Sequence, residues 1–159
     1  MALIKSNVAL NRIPPVMPVA QENVTSRVAM ALKAGDSIAT NVLAMCVLPA
    51  GCILLGYIVN AGKVDSNATP LVTFDLGVVN AAGTAISTAA VDGGAKWLAG
   101  STLAQNGGIV LSTATKAAAD VVSAVVPTDY DRSIGIAFAA SSATGQAGSI
   151  ELTLEFKAA

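Results

Sequence analysis

Near its C-terminus the chain reads Ser149-Ile150-Glu151-Leu152-Thr153-Leu154-Glu155-Phe156-Lys157, an unbroken alternation of polar and apolar side chains. Successive side chains of a β-strand point to opposite faces of a sheet, so this period of two predicts a strand with one buried and one solvated face. The same alternation recurs upstream, in residues 27–33, 72–78 and 133–138. We therefore expect a chain built mainly from half-buried strands.

Shorter runs rich in β-forming residues lie at 109–113 and 121–126, and clusters of Gly, Asn, Asp and Ser separate them from their neighbours. They bring the number of predicted strands to about eight. One short helix is predicted over 94–105, because its apolar side chains share a helical face and Asn106-Gly107 provides a stop. Many strands without alternating helices predict an all-β fold, an antiparallel β-sandwich of jelly-roll type.

Residues 42–59 are almost purely apolar and long enough to suggest a membrane span. A helical span is excluded because Pro49, Ala50 and Gly51 lie at the centre of the run, where proline would break a helix. Two buried strands joined by a tight turn fit better, and we expect no membrane association. Cys46 and Cys52 flank the turn, and we predict two buried, reduced thiols.

The composition argues against most enzymatic chemistry. The chain has no histidine, which removes the commonest general base and the commonest zinc ligand. Asp129 and Asp131 are expected to shape a turn, and Glu151 and Glu155 lie too far apart along one strand to act as a catalytic pair. No glycine-rich phosphate-binding motif is present. We therefore predict a protein that is not an enzyme and needs no metal or cofactor.

The charge is low and evenly spread. The 159 residues contain nine basic and ten acidic side chains, a formal net charge of −1, with no basic run. Nucleic acid is therefore not an expected partner, and we expect no small-molecule substrate either. A small domain with so few charges is poorly protected against self-association, which favours a subunit that functions in an assembly.

Residues 1–22 differ from the rest of the chain, and we predict an extended N-terminal arm there, followed by a β-sandwich domain over 23–159. Prolines interrupt an apolar run that can form neither a helix nor a central strand. A free tail would leave these apolar groups in water, so we expect the arm to dock against a neighbouring subunit. The candidate interface residues are Arg12, Ile13, Pro14, Pro15, Val16, Met17 and Pro18.

Four stretches in a particular order carry a resemblance to a known family: Ala34-Gly35-Asp36-Ser37-Ile38, Leu48-Pro49-Ala50-Gly51, Thr73-Phe74-Asp75-Leu76-Gly77 and Ala147-Gly148-Ser149-Ile150-Glu151-Leu152. With this order and spacing, residues 24–159 resemble the capsid decoration, or cement, proteins of tailed bacteriophages. The resemblance implies a jelly-roll subunit, commonly a homotrimer, that sits on the outer capsid surface and clamps neighbouring major capsid proteins. It also implies a virion structural protein made in the cytoplasm of the bacterial host, and residues 1–11 show no secretory signal.

A second interpretation is a head-fibre or adhesin-type module that binds a receptor or glycan through loops of the sandwich. Sugar sites usually stack rings on exposed aromatic side chains. The chain offers only Trp97, Tyr57 and Tyr130 among its Trp and Tyr residues, and Tyr57 lies inside the apolar run. Exposure of Trp97 would therefore favour this alternative.

Overall fold

The computed structural model describes residues 1–10, 17–18, 22–113 and 116–159. Within these ranges the chain forms nine strands and two short helices. The strands are β1 (Leu3–Lys5), β2 (Asn23–Leu32), β3 (Val42–Leu48), β4 (Cys52–Ala61), β5 (Thr73–Val78), β6 (Leu98–Ser101), β7 (Gly108–Leu111), β8 (Arg132–Ala140) and β9 (Gly148–Ala158). The helices are α1 (Leu103–Asn106) and α2 (Lys116–Ser123). The prediction of a mainly β chain is confirmed.

The alternating C-terminal stretch forms β9, an inner strand of a four-stranded sheet with the order β2-β9-β4-β7. Its apolar side chains Ile150, Leu152, Leu154 and Phe156 have no exposed surface. Strand β2 pairs with β9 in antiparallel register, and its side chains also alternate in exposure. The period of two in the sequence therefore identifies the buried face of both strands.

A second sheet has the order β1-β3-β8-β5-β6. The main core contains Phe74 and Ile136 from this sheet together with Val59 and Leu152 from the first, so the two sheets share one core as in a β-sandwich. The named strands of the described chain pair in antiparallel as predicted, except that β1 pairs with β3 in parallel. Parallel neighbours need a long crossover, and here β2 in the opposite sheet lies between β1 and β3 in the chain.

From β2 onward the strand pairs are nested. Strand β5 pairs with β6, β4 with β7, β3 with β8, and β2 with β9. This is the pairing of one long two-stranded ribbon whose tip is the connection between β5 and β6. The ribbon is also rolled, because β9 pairs with β4 and β8 with β5. Most contacts that hold the fold are therefore distant in sequence.

The apolar run 42–59 forms β3 and most of β4, joined by a turn at Pro49. The two strands belong to different sheets. All of β3 is buried, because one face lies in the main core and Val42 and Ala44 on the other face pack with Val79 and Ile86. Burial on both faces explains a continuous apolar strand. Among the described residues, no helix is both long and apolar enough to cross a membrane.

Two local predictions are wrong. Residues 94–105 do not form a helix: strand β6 occupies part of this segment, and helix α1 begins only at Leu103. Gly100 adopts a φ of 58°, a left-handed conformation that interrupts regular helix. Residues 121–126 were expected to form a strand, but Val121 and Val122 lie in helix α2. The preceding alanine run favours helix more strongly than this valine pair favours strand. The described part of the chain thus has nine strands and two helices where about eight strands and one helix were predicted.

Candidate interaction surface

The predicted arm lies largely outside the described residues. Arg12, Ile13, Pro14, Pro15 and Val16 belong to ranges that the structure does not describe. Within the same run, the side chain of Met17 is exposed and Pro18 is half-buried. The structured elements on either side of the run are β1 and β2, and each lies at the edge of its sheet. The division at residue 22 and the interface role of the arm stay predictions.

Residues 2–6 are attached to their own sandwich. The backbone of Val42 donates to the carbonyl of Ala2 at 2.9 Å, and Ser6 donates from its backbone to the carbonyl of Ala44 at 2.9 Å. The hydroxyl of Ser6 also donates to the carbonyl of Met45, and the backbone N–H of Ala2 donates to the Asn41 side chain. The beginning of the chain therefore completes the five-stranded sheet.

Several large apolar side chains remain exposed on the described surface. Ile109 and Leu111 lie on the edge strand β7 and are 60% and 46% exposed. Both face away from the core, because Val110 between them packs against it. The other exposed large apolar side chains are Met1, Leu3, Leu10, Met17, Ile38, Leu55, Leu71, Val126 and Tyr130. Single exposed apolar residues are ordinary, so this distribution alone does not define a binding site.

Asp65 joins two loops at one end of the sandwich. Its buried carboxylate accepts four backbone N–H bonds, from Asn67 at 3.2 Å, Leu71 at 2.9 Å, Ala143 at 2.8 Å and Thr144 at 3.0 Å. Burial opposes ionisation of Asp65, but the four donors outweigh it and hold the pKa of this carboxyl well below its ordinary value. The carboxylate thus fixes the β4–β5 loop against the β8–β9 loop.

Two of the four carboxylates considered from the sequence, Asp131 and Glu151, are held by structural contacts. Asp131 accepts a hydrogen bond from the backbone of Ala50 at 2.9 Å. Glu151 receives Arg27 Nε at 2.7 Å on one oxygen and Nη2 at 2.8 Å on the other. No group of three or more His, Cys, Asp or Glu residues able to hold a metal ion occurs in the part of the chain that the structure describes. These carboxylates therefore shape a turn and pair two strands.

The aromatic side chains are mostly internal. Trp97 is 2% exposed and donates from its indole nitrogen to the carbonyl of Asp92 at 3.0 Å. Tyr57 stacks on Trp97 and donates its hydroxyl to the Trp97 carbonyl at 2.9 Å. Tyr130 is 54% exposed. Trp97 therefore lacks the exposure that would favour a glycan-stacking role.

Cys46 and Cys52 are free and buried, as predicted. Burial raises the pKa of the Cys46 thiol to about 12. The pKa of Cys52 is also raised, first by burial and then by the negative charge of Asp131. A thiol is nucleophilic only as the thiolate, so both residues behave as small apolar side chains.

Solved structures of phage capsids contain chains with this architecture. A chain from the capsid of Ralstonia phage GP4 matches 100% of the present chain and 99% of its own length, with a TM-score of 0.77 and 24% identity. The fold is shared with phage capsid chains. A chain from the capsid asymmetric unit of cyanophage Pam1 matches over 92% of both chains, with a TM-score of 0.62 and 22% identity. No protein-family model and no curated protein matches the sequence.

Three polar residues that organise the structure were not singled out as such from the sequence. Asp65 holds two loops, while Asp92 and Arg132 form a buried ion pair at 3.3 Å. Asp92 lies 40 positions from Arg132 in the sequence, and two of the four donors to Asp65 lie 78 and 79 positions away from it. A charged residue next to buried apolar neighbours was the available signal, because buried charges need partners.

Proposed function

We propose that this chain is a structural protein of a tailed-phage virion that binds the outer capsid surface and bridges neighbouring major capsid proteins. The observation that carries the proposal is the end-to-end likeness to a chain from the capsid of Ralstonia phage GP4, with a TM-score of 0.77. The match extends over the whole of both folds and is not confined to a common sandwich core. The capsid role is our inference from that likeness and from the sequence resemblance.

The fold itself we propose to be a jelly roll. The nested pairing of β2 with β9, β3 with β8, β4 with β7 and β5 with β6 supports this assignment, because a jelly roll is a long antiparallel ribbon rolled into two sheets. Strand β1 is then an addition to the edge of the five-stranded sheet. Jelly rolls are common in viral capsid proteins, so the fold agrees with a virion role without proving it.

A bridging subunit needs contact area and repetition but no chemistry. The arm residues 12–18 are the proposed contact with a neighbour. Ordering a residue costs about 1–2 kcal/mol of backbone entropy, which the three prolines of this run reduce because their φ is already fixed. Burial of Ile13, Val16 and Met17 contributes about 1.5–3 kcal/mol each, which is enough to offset the remaining cost. We further propose a homotrimer, which would repeat this contact three times.

The test is co-sedimentation of the purified protein with phage shells that lack it. The arm variant carries Ile13→Ser, Val16→Ser and Met17→Ser, and the matched control is Leu71→Ser, which changes an exposed apolar side chain outside the arm. We expect the wild type and the control to sediment with shells and the arm variant to bind at least about 100-fold more weakly. If the arm variant binds shells as tightly as the wild type, the arm is not part of the interface.

A wild-type protein that stays in the supernatant at saturating shell concentration would refute the capsid role. Sedimentation equilibrium of the free protein measures its mass, and a trimer is expected. The alternative, a receptor- or glycan-binding head-fibre module, predicts a protein that ignores shells and binds a glycan. The burial of Trp97 and Tyr57 leaves only Tyr130 exposed for such stacking among the Trp and Tyr side chains, so the capsid-binding proposal is preferred.

A further inference from the structure

A cavity of about 450 Å³ opens beside strand β1. Small and apolar side chains form much of its wall, among them Leu3, Val79, Ala82 and Val91. Charged side chains also line it, and one of them is the buried Arg132. The cavity therefore combines an apolar wall with a desolvated cation.

One edge of the Arg132 guanidinium has no partner. Its Nη1 donates to the carbonyl of Val91 at 3.1 Å and to Asp92 at 3.3 Å. Its Nε and Nη2 are buried and make no hydrogen bond, and they are the buried side-chain nitrogen and oxygen atoms left without a partner among the described residues. Buried donors are nearly always satisfied, so these two donors mark Arg132 as a group that can bind a further acceptor.

Arg27 of the same protein shows which group the Nε and Nη2 edge of a guanidinium can bind. At Arg27, Nε and Nη2 bind the two oxygens of the Glu151 carboxylate at 2.7 and 2.8 Å. Two parallel N–H donors fit the two oxygens of a carboxylate, whereas an amide offers only one acceptor oxygen. A carboxylate would therefore satisfy both free donors of Arg132.

The charges around the cavity allow an anion to enter. Lys5 and Arg132 balance Asp92 and Asp131 among the lining residues, so the formal charge of the wall is neutral. Asp92 is already engaged, because one of its oxygens faces Arg132 and the other accepts the Ser87 hydroxyl at 2.6 Å. A second carboxylate would thus use the free edge of Arg132 without displacing Asp92.

We infer that this cavity binds a carboxylate of a neighbouring protein chain, and that Nε and Nη2 of Arg132 donate to its two oxygens. The carboxylate is either a chain terminus or an Asp or Glu side chain, and the apolar wall receives the adjoining aliphatic groups. The inference rests on the proposed function, since the neighbour would be another virion protein. Because the two nitrogens are buried, the cavity wall must shift when the carboxylate binds.

Trp97 provides the readout. It is the only tryptophan of the chain, and its indole is bonded to the carbonyl of Asp92, whose side chain contacts Arg132. The probes are N-acetyl-leucine and N-acetyl-leucinamide, which differ only in the carboxylate. We expect the acid to change Trp97 emission saturably and to raise the melting temperature, and the amide to bind at least about tenfold more weakly. Equal effects of acid and amide, or no effect of either on emission and melting, would overturn the assignment.

Two matched variants locate the site. Arg132→Lys keeps the positive charge beside Asp92 but lacks the forked edge, and it should weaken N-acetyl-leucine binding about tenfold or more. Arg27→Lys changes an exposed arginine and should leave this binding unchanged. Unchanged binding in Arg132→Lys would exclude Arg132 as the receptor.

N-acetylglutamate α-amide, which presents a side-chain carboxylate, distinguishes the two sources. Tighter binding of N-acetyl-leucine would identify a chain terminus as the partner group, whereas tighter binding of N-acetylglutamate α-amide would identify an Asp or Glu side chain. If the probes fail to bind while the protein still sediments with shells, the inference fails alone. If probe binding succeeds and shell binding fails, the proposed function is wrong.

Discussion

Replacing Asp65 with asparagine should destabilise the fold strongly, and the structure gives the magnitude. One oxygen of Asp65 accepts from Asn67 and Thr144, and the other accepts from Leu71 and Ala143. The amide oxygen of Asp65→Asn can keep one pair of donors, but its NH₂ group faces the other pair. Two donors are then unsatisfied, each costing about 1–3 kcal/mol, and we expect a total loss of about 2–6 kcal/mol.

The assay is urea unfolding followed by circular dichroism, with thermal melting as a second measure. A loss of this size should lower the melting temperature by about 10 °C in a domain of this length. The control is Asp36→Asn, because within the described residues the carboxylate of Asp36 accepts a single local hydrogen bond, from the backbone of Lys33 at 2.8 Å. A change of less than about 0.5 kcal/mol in Asp65→Asn, within the range of an ordinary surface substitution, would refute the reasoning.

The same carboxyl predicts a pH dependence. Burial raises the pKa of Asp65 in the folded state, but the four backbone N–H donors lower it by more, so the net shift is downward. Its contribution to stability is therefore fully present above the unfolded pKa of about 3.9 and is lost as the pH falls towards the folded value. Unfolding free energy should decrease below about pH 4 in the wild type and decrease less in Asp65→Asn. Parallel acid profiles for the two proteins would contradict this assignment.

Two further predictions concern the core. Cys46, whose pKa burial raises to about 12, should resist iodoacetamide at pH 8 in the folded protein and react once urea unfolds it, as mass spectrometry would show; rapid labelling of the folded protein would contradict its burial. Gly135→Ala should destabilise the protein by about 2–4 kcal/mol, because the added Cβ would collide with the Leu43 carbonyl on the neighbouring strand. Gly35→Ala, where a Cβ meets nothing within 4 Å, is the control, and equal melting temperatures for the two variants would argue against the β3–β8 register.

Local pattern was enough to predict most of the strands. The alternation in β2 and β9 marks which face is buried, and the proline in 42–59 separates β3 from β4. Strands β5 and β8 lie where alternation predicted them, but the expectation that they are half-buried is wrong, because both of their faces are buried over most of their length. Where local signals compete, prediction failed. The valines at 121–122 favour a strand, yet the alanines before them and an exposed Lys116–Asp120 pair one helical turn apart accompany a helix.

The pairing of strands and the internal polar contacts depend on distant residues. Strand β2 meets β9 across the whole domain, and no local pattern specifies that partner. Asp65 meets Ala143 and Thr144 some 78 positions away. From the sequence it is one aspartate near an apolar segment, so its role as a loop junction could not be deduced. The candidate arm differs from Asp65 in this respect, because the composition of the sequence alone was enough to select residues 12–18.

The central claim, that this protein stabilises a phage shell, is tested most directly by the temperature at which DNA leaves the particle. Phage particles lacking the protein are heated with a DNA-binding dye, with and without the purified protein, and the release temperature is read from fluorescence. Bridging subunits stabilise the assembled shell in proportion to their binding, so added protein should raise the release temperature until its sites are saturated. An unchanged release temperature despite saturated binding would contradict the bridging role.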